Sequence, residues 1–215
     1  MVWVEQMRLT NWTQLAGYGL GAYALGCFAT GYYLVRALKG MDIREVDSGS
    51  VGARNVSQVL GKSGFVLTTL GDLSKGVLAV WATVHLTGDG RLAALVMLAV
   101  TVGHIWPAQL CFHGGKGVAT SLGALLFYDW RLAMTYGVVF LGGFALTGKT
   151  ILPGLFGYLC LPVAAFWLEH DGLDTTVIAL LSAMVLFAHR RNIIEEFPAL
   201  AARCGMTAKP EQPKL

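Results

Sequence analysis

The chain alternates long apolar stretches with short polar segments. Several stretches are shorter than the ~20 residues that cross a bilayer without tilt, and the stretch at 117–128 is the shortest. It predicts a half-helix after a re-entrant loop, which is tolerated at membrane depth where protein or a water-filled cavity surrounds the backbone. The whole pattern predicts an all-α, polytopic membrane protein with about seven transmembrane helices. The predicted spans are 15–35, 64–86, 91–106, 117–128, 131–147, 151–168 and 174–189.

Composition agrees with a membrane location. Of the 215 residues, 55% are hydrophobic and 13% are charged, whereas a soluble domain carries about 25% charged residues. The polar surface that remains is too small to solvate a core of this size, so the apolar stretches face lipid. The 27 glycines suit close contact between helices in lipid, and a net charge of +3 gives no indication of a nucleic-acid partner.

The chain predicts a single transmembrane domain over 1–202 and a short disordered cytoplasmic tail over 203–215. The four cysteines lie far apart and form no C-x-x-C pair, which argues against a zinc site or a disulfide framework. No cluster of metal ligands is visible, and no nucleotide cofactor is implied. Any chemistry is therefore expected from the polar segments between the spans.

Lysines and arginines in the short connecting segments predict the orientation. If the first span runs from outside to inside, the outside segments hold only Arg8, Arg91 and Arg131, and one outside loop between 168 and 174 is acidic. The N-terminus is therefore predicted outside and the C-terminus in the cytoplasm. The basic residues on the inside are Arg36, Lys39, Arg44, Arg54, Lys62, Lys116, Lys149, Arg190, Arg191, Arg203, Lys209 and Lys214.

The first polar segment, 47–62, is rich in small residues. Small side chains let backbone N–H groups approach a bound anion, and Arg54 and Asn55 add side-chain donors where a helix is predicted to begin. This is the chemistry of a phosphate nest. A flexible cytoplasmic loop whose arginines follow the positive-inside rule is an equal alternative. The residues predicted to contact phosphate here are Ser48, Ser50, Gly52, Arg54 and Asn55.

The second polar segment, within 103–120, places three glycines around Lys116. Gly114, Gly115 and Gly117 expose backbone donors immediately before a helical stretch, and Thr120 adds a hydroxyl in its first turn. This pattern predicts an oxyanion or phosphate cradle, with a plain turn as the alternative. It resembles a P-loop only loosely, since Gly117 stands where Ser or Thr would bind magnesium.

A literal P-loop string occurs at 143–150, ending in Lys149 and Thr150. That motif has a mechanism only between a strand and a helix, and here it joins two hydrophobic spans. A chance match is the better interpretation. Lys149 and Thr150 nevertheless face the cytoplasmic side and count as candidate phosphate ligands.

Several ionisable residues lie within or at the ends of the spans. Asp72 and Lys75 share one helical face inside the second span, either as a functional pair or as an ion pair that only locks two helices. His104 is a candidate general base or phosphate donor, and the alternative is a helix-packing hydrogen bond. His189 and Asn192 close the last span in the same layer.

These segments together resemble the acyl-phosphate:glycerol-3-phosphate acyltransferase family of bacterial membranes. The most specific piece is Gly114-Gly-Lys-Gly-Val-Ala-Thr120, preceded by Gly103-His104 and Pro107. The resemblance covers roughly 15–195 and implies a seven-span fold in the bacterial inner (plasma) membrane, with the signature loops facing the cytoplasm. Further matching pieces are Ser48-Gly49, Gly52-Ala53, Asn55-Val56, Asp72-x-x-Lys75-Gly76, His189-Arg190 and Asn192-Ile193.

The chain departs from the family pattern at several positions. In the first segment, the family's Asn is Ser50, its Thr is Arg54, and its Arg four residues later is Gln58. If 54–58 is helical, the last two positions share a face, so the cation has moved by one turn. The remaining departures are His113 for a Lys, Thr150 and Pro153 near the unrecognisable serine-rich motif, and Glu195 and Glu196 where the family is basic.

The resemblance implies acyl transfer from acyl phosphate to the sn-1 hydroxyl of glycerol 3-phosphate, giving lysophosphatidic acid and phosphate for phospholipid synthesis. Lys116 and the N–H groups of Gly114–Gly117 are expected to hold phosphate or the developing oxyanion, and the first segment to bind the other phosphate. His104 is expected to position or deprotonate the acceptor hydroxyl, with Asn192 and His189 as supports. The expected partners are the two substrates, the lipid bilayer and the enzyme that forms acyl phosphate.

Two other classes of function remain open. A divergent paralogue would acylate a different phosphorylated acceptor, as the altered first and last motifs allow. A non-catalytic transporter or lipid-binding protein would use the same anion nest at the cytoplasmic face. The sequence lacks the inverted repeat that many transporters show, which places this class last.

Overall fold

The computed structural model describes residues 12–194. Within that range the fold is all-helical, with α-helices and short 3-10 turns and no strands. The expected tail at 203–215, and Glu195 and Glu196, lie outside the described residues. Short 3-10 turns lie at Ile43–Glu45 and Ala108–Leu110. The helices are α1 (Trp12–Cys27), α2 (Thr30–Lys39), α3 (Ala53–Thr87), α4 (Gly90–Ile105), α5 (Val118–Tyr128), α6 (Trp130–Thr147), α7 (Ile151–Trp167) and α8 (Gly172–Ala188).

The first predicted span, 15–35, is two helices rather than one. The chain breaks after Cys27, which leaves carbonyl groups at the end of α1 without partners inside the helix. Side chains from distant parts of the chain cap these carbonyls. Gln109 donates to the Cys27 carbonyl, and the Lys75 ammonium donates to the carbonyls of Gly26 (3.1 Å) and Phe28 (2.7 Å).

The second predicted span, 64–86, is the later part of the longer helix α3. Its direction changes at Gly61, whose φ of 64° and ψ of −155° are non-helical. Only glycine adopts such a conformation without strain. The residues before Gly61 belong to the polar end of the molecule, and those after it run through the bundle.

Helix ends alternate between two ends of the bundle. The segments 28–52, 106–117, 148–150 and 189–194 lie at one end, which we call the basic end, and the segments 88–89, 129 and 168–171 lie at the other. Hydrogen bonds between distant segments support this placement. The Tyr23 hydroxyl donates to the Trp106 carbonyl (2.9 Å), and Lys116 donates to Asn192. At the opposite end, Arg91 pairs with Asp171 (3.1 Å).

Two apolar cores hold these elements. The larger core fills the bundle and includes Met97, Leu125 and Tyr158. The smaller core lies under the loops of the basic end and consists of Ala29, Val35, Ile43, Val51, Val56 and Leu110. Because the smaller core draws residues from α2, α3 and both glycine-rich segments, it packs these segments against each other.

The outer surface of the bundle is apolar. Within 12–194, three stretches are long and apolar enough to cross a membrane by length and composition: α3, α6, and Gly90–Leu110, which joins α4 to the following 3-10 turn. Helices α5, α7 and α8 are apolar but shorter. On α6, Val138, Leu141 and Leu146 are exposed, with Leu146 at 89%. Exposed apolar area on this scale is unfavourable in water and suits lipid contact.

Candidate active site

The second glycine-rich segment folds back onto the end of α4. The Gly114 N–H donates to the Ile105 carbonyl (3.2 Å), and the Gly115 N–H donates to the His104 carbonyl (3.0 Å). A Cβ on Gly115 would overlap Nε2 of His104. Glycine is therefore required here for close approach, and the loop presses against the His104 ring.

The open backbone donors lie slightly later than predicted. Two of the four expected donors, those of Gly114 and Gly115, already bond to α4. Gly117 caps α5 in the left-handed region (φ 85°), and no described residue accepts from the N–H groups of Gly117, Val118 or Ala119. Free N–H groups at a helix N-terminus attract anions, so this turn is a candidate site for a phosphate or oxyanion.

Lys116 joins this turn to the end of α8. Its ammonium group donates to Oδ1 of Asn192, and Asn192 lies in the helical turn that follows His189. The structure therefore brings Lys116 next to His189 and Asn192, and the hydrogen-bonded pair Lys116 and Asn192 is 76 positions apart in sequence.

His189 carries its ring proton on Nδ1. Nδ1 lies 2.8 Å from the Val185 carbonyl, which can only accept, so Nδ1 is the protonated nitrogen and Nε2 keeps a lone pair. Burial, together with the nearby Lys116 ammonium, lowers the pKa of His189, although the bond to Val185 opposes this. The ring is therefore neutral at pH 7, with Nε2 as its acceptor nitrogen.

Asn55 builds the first segment from within. Its amide nitrogen donates to the carbonyls of Ile43 (3.0 Å), Val46 (3.0 Å) and Ser50 (2.8 Å), and the side chain is buried. The Gly52 N–H donates to the Ser50 hydroxyl (3.2 Å). The structure thus gives Asn55 a loop-building role.

The start of α3 leaves donors exposed to solvent. Gly52 is the N-cap, Arg54 in the first turn is exposed, and Ser48 is exposed in the preceding turn. The N–H groups of Ala53 and Arg54 have no acceptor within 12–194. This helix start is a second candidate anion site at the basic end, and the Val51 N–H links it to the Gly114 carbonyl (3.5 Å).

Arg44 connects the two segments and was not singled out by the sequence. Its guanidinium pairs with Asp42 (2.6 Å), donates to the Leu110 carbonyl (2.9 Å) and lies 5.3 Å from the centre of the Tyr32 ring. Hydrogen bonds from Arg44 lower the pKa of the Asp42 carboxyl. An Asp-x-Arg spacing in a polar loop is the only local signal, and it does not indicate the Leu110 contact.

Lys75 is the centre of a buried polar group. Its Nζ lies 3.0 Å from Oδ1 of Asp72 and 2.8 Å from Nδ1 of His104, and it also caps α1. All three side chains are at most 4% exposed. The group thus links α1, α3 and α4 directly behind the Gly115 loop.

The remaining candidates lie at the edges of this site. Thr120 is buried against Gly76 of α3, and its hydroxyl has no hydrogen-bond partner among the described residues. Lys149 and Thr150 form the turn between α6 and α7 at the basic end. Among residues 12–194, no three His, Cys, Asp or Glu side chains lie close enough to hold a metal ion.

Comparison with known proteins identifies the family. The model of the glycerol-3-phosphate acyltransferase family matches residues 17–197. A relative named glycerol-3-phosphate acyltransferase 1 from Desulfitobacterium hafniense is 43% identical over 82% of this chain and 87% of its own length. A glycerol-3-phosphate acyltransferase from Gloeobacter violaceus is 37% identical over 85% of this chain and 91% of its own.

Solved structures show the same fold. The chain is similar to PlsY, an integral membrane glycerol 3-phosphate acyltransferase, in its glycerol 3-phosphate form, with a TM-score of 0.79 and 30% identity over 86% of this chain and 92% of that chain. The lysophosphatidic acid form gives a TM-score of 0.77 at 27% identity. The range matched by the family model, 17–197, includes both glycine-rich segments, the buried Lys75 group and the Lys116–Asn192 contact. The chain therefore belongs to the glycerol-3-phosphate acyltransferase family and is a membrane acyltransferase.

Proposed function

We propose that this protein transfers an acyl group from acyl phosphate to the sn-1 hydroxyl of glycerol 3-phosphate. The products are lysophosphatidic acid and inorganic phosphate, which serve phospholipid synthesis. Support comes from the names of the relatives and from the two ligand forms in which the similar structure was solved.

The observation that supports this proposal most strongly is the pairing of two candidate anion sites at the basic end. One is the start of α5 with Lys116 and Asn192, and the other is the start of α3 with Arg54. Each substrate brings one phosphate group, so a reaction between them needs two such sites close together. The Val51–Gly114 bond joins the loops that carry them.

The chemistry requires placement rather than activation. Acyl phosphate is a mixed anhydride, so attack of the hydroxyl oxygen on the carbonyl carbon forms the ester and breaks the bond between that carbon and the phosphate oxygen. The hydroxyl proton leaves to a base, and phosphate departs. Lys116 and the N–H groups at the start of α5 stabilise the negative charge that develops, and bound substrates react as if highly concentrated.

The acyl chain fits a groove between α1 and α3. The groove has a volume of about 510 Å³, and its lining includes Gly17, Gly21, Leu25, Leu78 and Ala79. Leu25 adjoins Gly26, whose carbonyl is bound by Lys75, so the groove starts behind the site. A saturated chain lying there is partly covered by protein and partly open to lipid.

The basic end is proposed to face the cytoplasm of a bacterial inner membrane. Of the described residues, this end holds Lys39, Arg54, Lys62 and Lys116, while the opposite end holds Arg91 and Arg131, which is the asymmetry of the positive-inside rule. Glycerol 3-phosphate and phosphate would then exchange with the cytoplasm. A soluble enzyme that forms acyl phosphate would deliver its product at the same face.

The test uses detergent-purified protein with palmitoyl phosphate and glycerol 3-phosphate, and follows released phosphate and lysophosphatidic acid together. Lys116→Ala is expected to lower kcat by about 10²–10³-fold, because it removes a charge-assisted donor from the reacting centre. Lys62→Ala, on an exposed lysine of α3, is the matched control and is expected to keep full activity.

The possible results separate the donor from the residue roles. Product from palmitoyl-CoA in place of palmitoyl phosphate would reject the proposed donor. An active Lys116→Ala enzyme would reject the role of Lys116 but not the reaction. A folded protein that gives no product with either donor would reject the proposed reaction.

A second acceptor is favoured by one observation. Arg54 replaces the Thr of the family pattern and is exposed at the start of α3, where the acceptor's phosphate is proposed to bind. A change at this position would alter the preference for the phosphorylated alcohol that accepts the acyl group. Comparing several acceptors at fixed palmitoyl phosphate, with kcat/KM for each, decides between the two.

A further inference from the structure

Lys75 is surrounded by four acceptor positions. Its Nζ lies 2.7 Å from the Phe28 carbonyl, 2.8 Å from Nδ1 of His104, 3.0 Å from Oδ1 of Asp72 and 3.1 Å from the Gly26 carbonyl. The two carbonyls and Nδ1 of His104 lie in hydrogen-bonding geometry, which matches the three N–H groups of an ammonium, and Asp72 is in ion-pair contact. Two carbonyls and a carboxylate around one nitrogen are the surroundings of an ammonium group.

An ammonium has no lone pair, so Nδ1 of His104 must accept its third N–H. We propose that Lys75 fixes His104 in the tautomer that carries its proton on Nε2, which makes His104 a hydrogen-bond donor at the cradle rather than a general base. The donor role rests on the proposed function, whereas the tautomer does not. Lys75 is then a positioning residue that acts through His104.

The direction of Nε2 supports this assignment. The Nε2 edge of the ring lies against Gly115, where a Cβ would overlap it, and the Gly115 N–H donates to the His104 carbonyl. Within 12–194, no protein group is hydrogen-bonded to Nε2. An oxygen of a substrate bound beside Lys116 is the acceptor that this N–H would meet.

His189 has the opposite tautomer. Its Nδ1 is held by the Val185 carbonyl, so its Nε2 is the acceptor. The two histidines at the basic end therefore differ at Nε2, which carries an N–H in His104 and a lone pair in His189. Of the two, only His189 is able to take a proton from the hydroxyl.

The tautomer is measured directly by ¹⁵N NMR of histidine-labelled protein, with signals assigned through His104→Gln and His189→Gln. We expect His104 to be protonated on Nε2 and not on Nδ1 between pH 6 and 9, and His189 to show the reverse. Lys75→Met is expected to give a mixture of tautomers at His104 and to leave the tautomer of His189 unchanged. If Lys75 and Asp72 only held the helices together, the substitution would not change the His104 tautomer selectively. A wild-type His104 protonated on Nδ1 would overturn the proposal without any reference to activity.

The donor role is measured by paired substitutions. A glutamine amide reaches the Nε2 position, whereas an asparagine amide reaches that of Nδ1. We expect His104→Gln to keep kcat within about tenfold of wild type, and His104→Asn and His104→Ala to lose about 10²-fold, the scale of one lost oxyanion donor. Equal losses in His104→Gln and His104→Asn would overturn the donor role even with the predicted tautomer. Absence of product from the wild-type protein would instead count against the proposed function.

Discussion

Arg54 and Gln58 lie one turn apart on the exposed face at the start of α3, and residues at this spacing are neighbours on a helix. If the cation of the family pattern has moved from position 58 to 54, Arg54→Thr should raise the KM for glycerol 3-phosphate about tenfold, the loss of one charged hydrogen bond. Adding Gln58→Arg should restore part of that loss.

Initial-rate kinetics at saturating acyl phosphate measure the effect. Gln58→Arg alone is the control and should leave KM unchanged or slightly lower. A double variant no better than Arg54→Thr would show that the two positions are not interchangeable.

Individual residues show how far a sequence can locate a site. The glycines around Lys116 were recognisable because a local pattern of small residues and one cation carries that signal. The partners of those glycines were not, since the bonds from Gly114 and Gly115 to the end of α4 depend on how the loop turns back. The same kind of local pattern predicts Asn55 as a phosphate ligand. In the structure its amide nitrogen instead bonds to three backbone carbonyls of the preceding loop.

At the scale of elements, the groove between α1 and α3 predicts chain-length selectivity. A Cβ added at Gly21 would meet nothing within 4 Å, so a larger side chain there fills the groove without disturbing helix packing. Gly21→Ile should lower kcat/KM for palmitoyl phosphate about tenfold, because roughly 1–2 kcal/mol of apolar burial is lost. An eight-carbon donor should be affected much less.

The ratio of kcat/KM for the two donors is the quantity to measure. Gly142→Ile is the matched control, since Gly142 lies on α6 with the same open space around it and away from the groove. Unchanged selectivity in Gly21→Ile would place the acyl chain elsewhere.

The apolar stretches of the sequence predict the helices, but they do not predict the two helix breaks, after Cys27 and at Gly61. The break after Cys27 lies in apolar sequence, and the groups that stabilise it, Lys75 and Gln109, are far away along the chain. The turn at Gly61 has a local signal in its glycine, yet the chain holds 27 of them. Long-range capping is therefore the part of this fold that periodicity cannot supply.

At the scale of the whole molecule, the end opposite the site is held by polar contacts between helices. The loop residue His170 lies 2.9 Å from Asp129 and 3.7 Å from Asp174, and its ring stacks on Tyr128. Arg131 also binds Asp129 (2.7 Å). These contacts join the α5–α6 turn to the start of α8.

Protonation of His170 should stabilise this end. The neighbouring carboxylates of Asp174 and Asp129 raise the pKa of His170 despite its burial. Its contribution is therefore complete below its ordinary pKa near 6.5 and is lost as the pH rises through the raised value. His170→Gln should lower Tm by about 2 °C at pH 6, the scale of a partly exposed ion pair, and by less at pH 9.

Thermal unfolding in detergent at both pH values measures this difference. His85→Gln, at the same end of the bundle and stacked on Trp81, is the control and should show no such pH dependence. An equal loss of Tm at pH 6 and pH 9 for His170→Gln would mean that the ring acts through packing alone.

The buried Lys75 group also bears on how the chain enters the membrane. Lys75 lies near the middle of the part of α3 that follows Gly61, roughly 20 Å from either end, and a centrally placed Asp or Lys opposes insertion by about 2.5–3.5 kcal/mol. The Gly26 and Phe28 carbonyls that bind Lys75 are synthesised before α3, and His104 after it. Biogenesis should then be ordered: α3 alone should insert poorly in a glycosylation-mapping assay, and adding 12–39 should raise its inserted fraction. The same charges that arrange the site thus make the first two helices a requirement for threading the third.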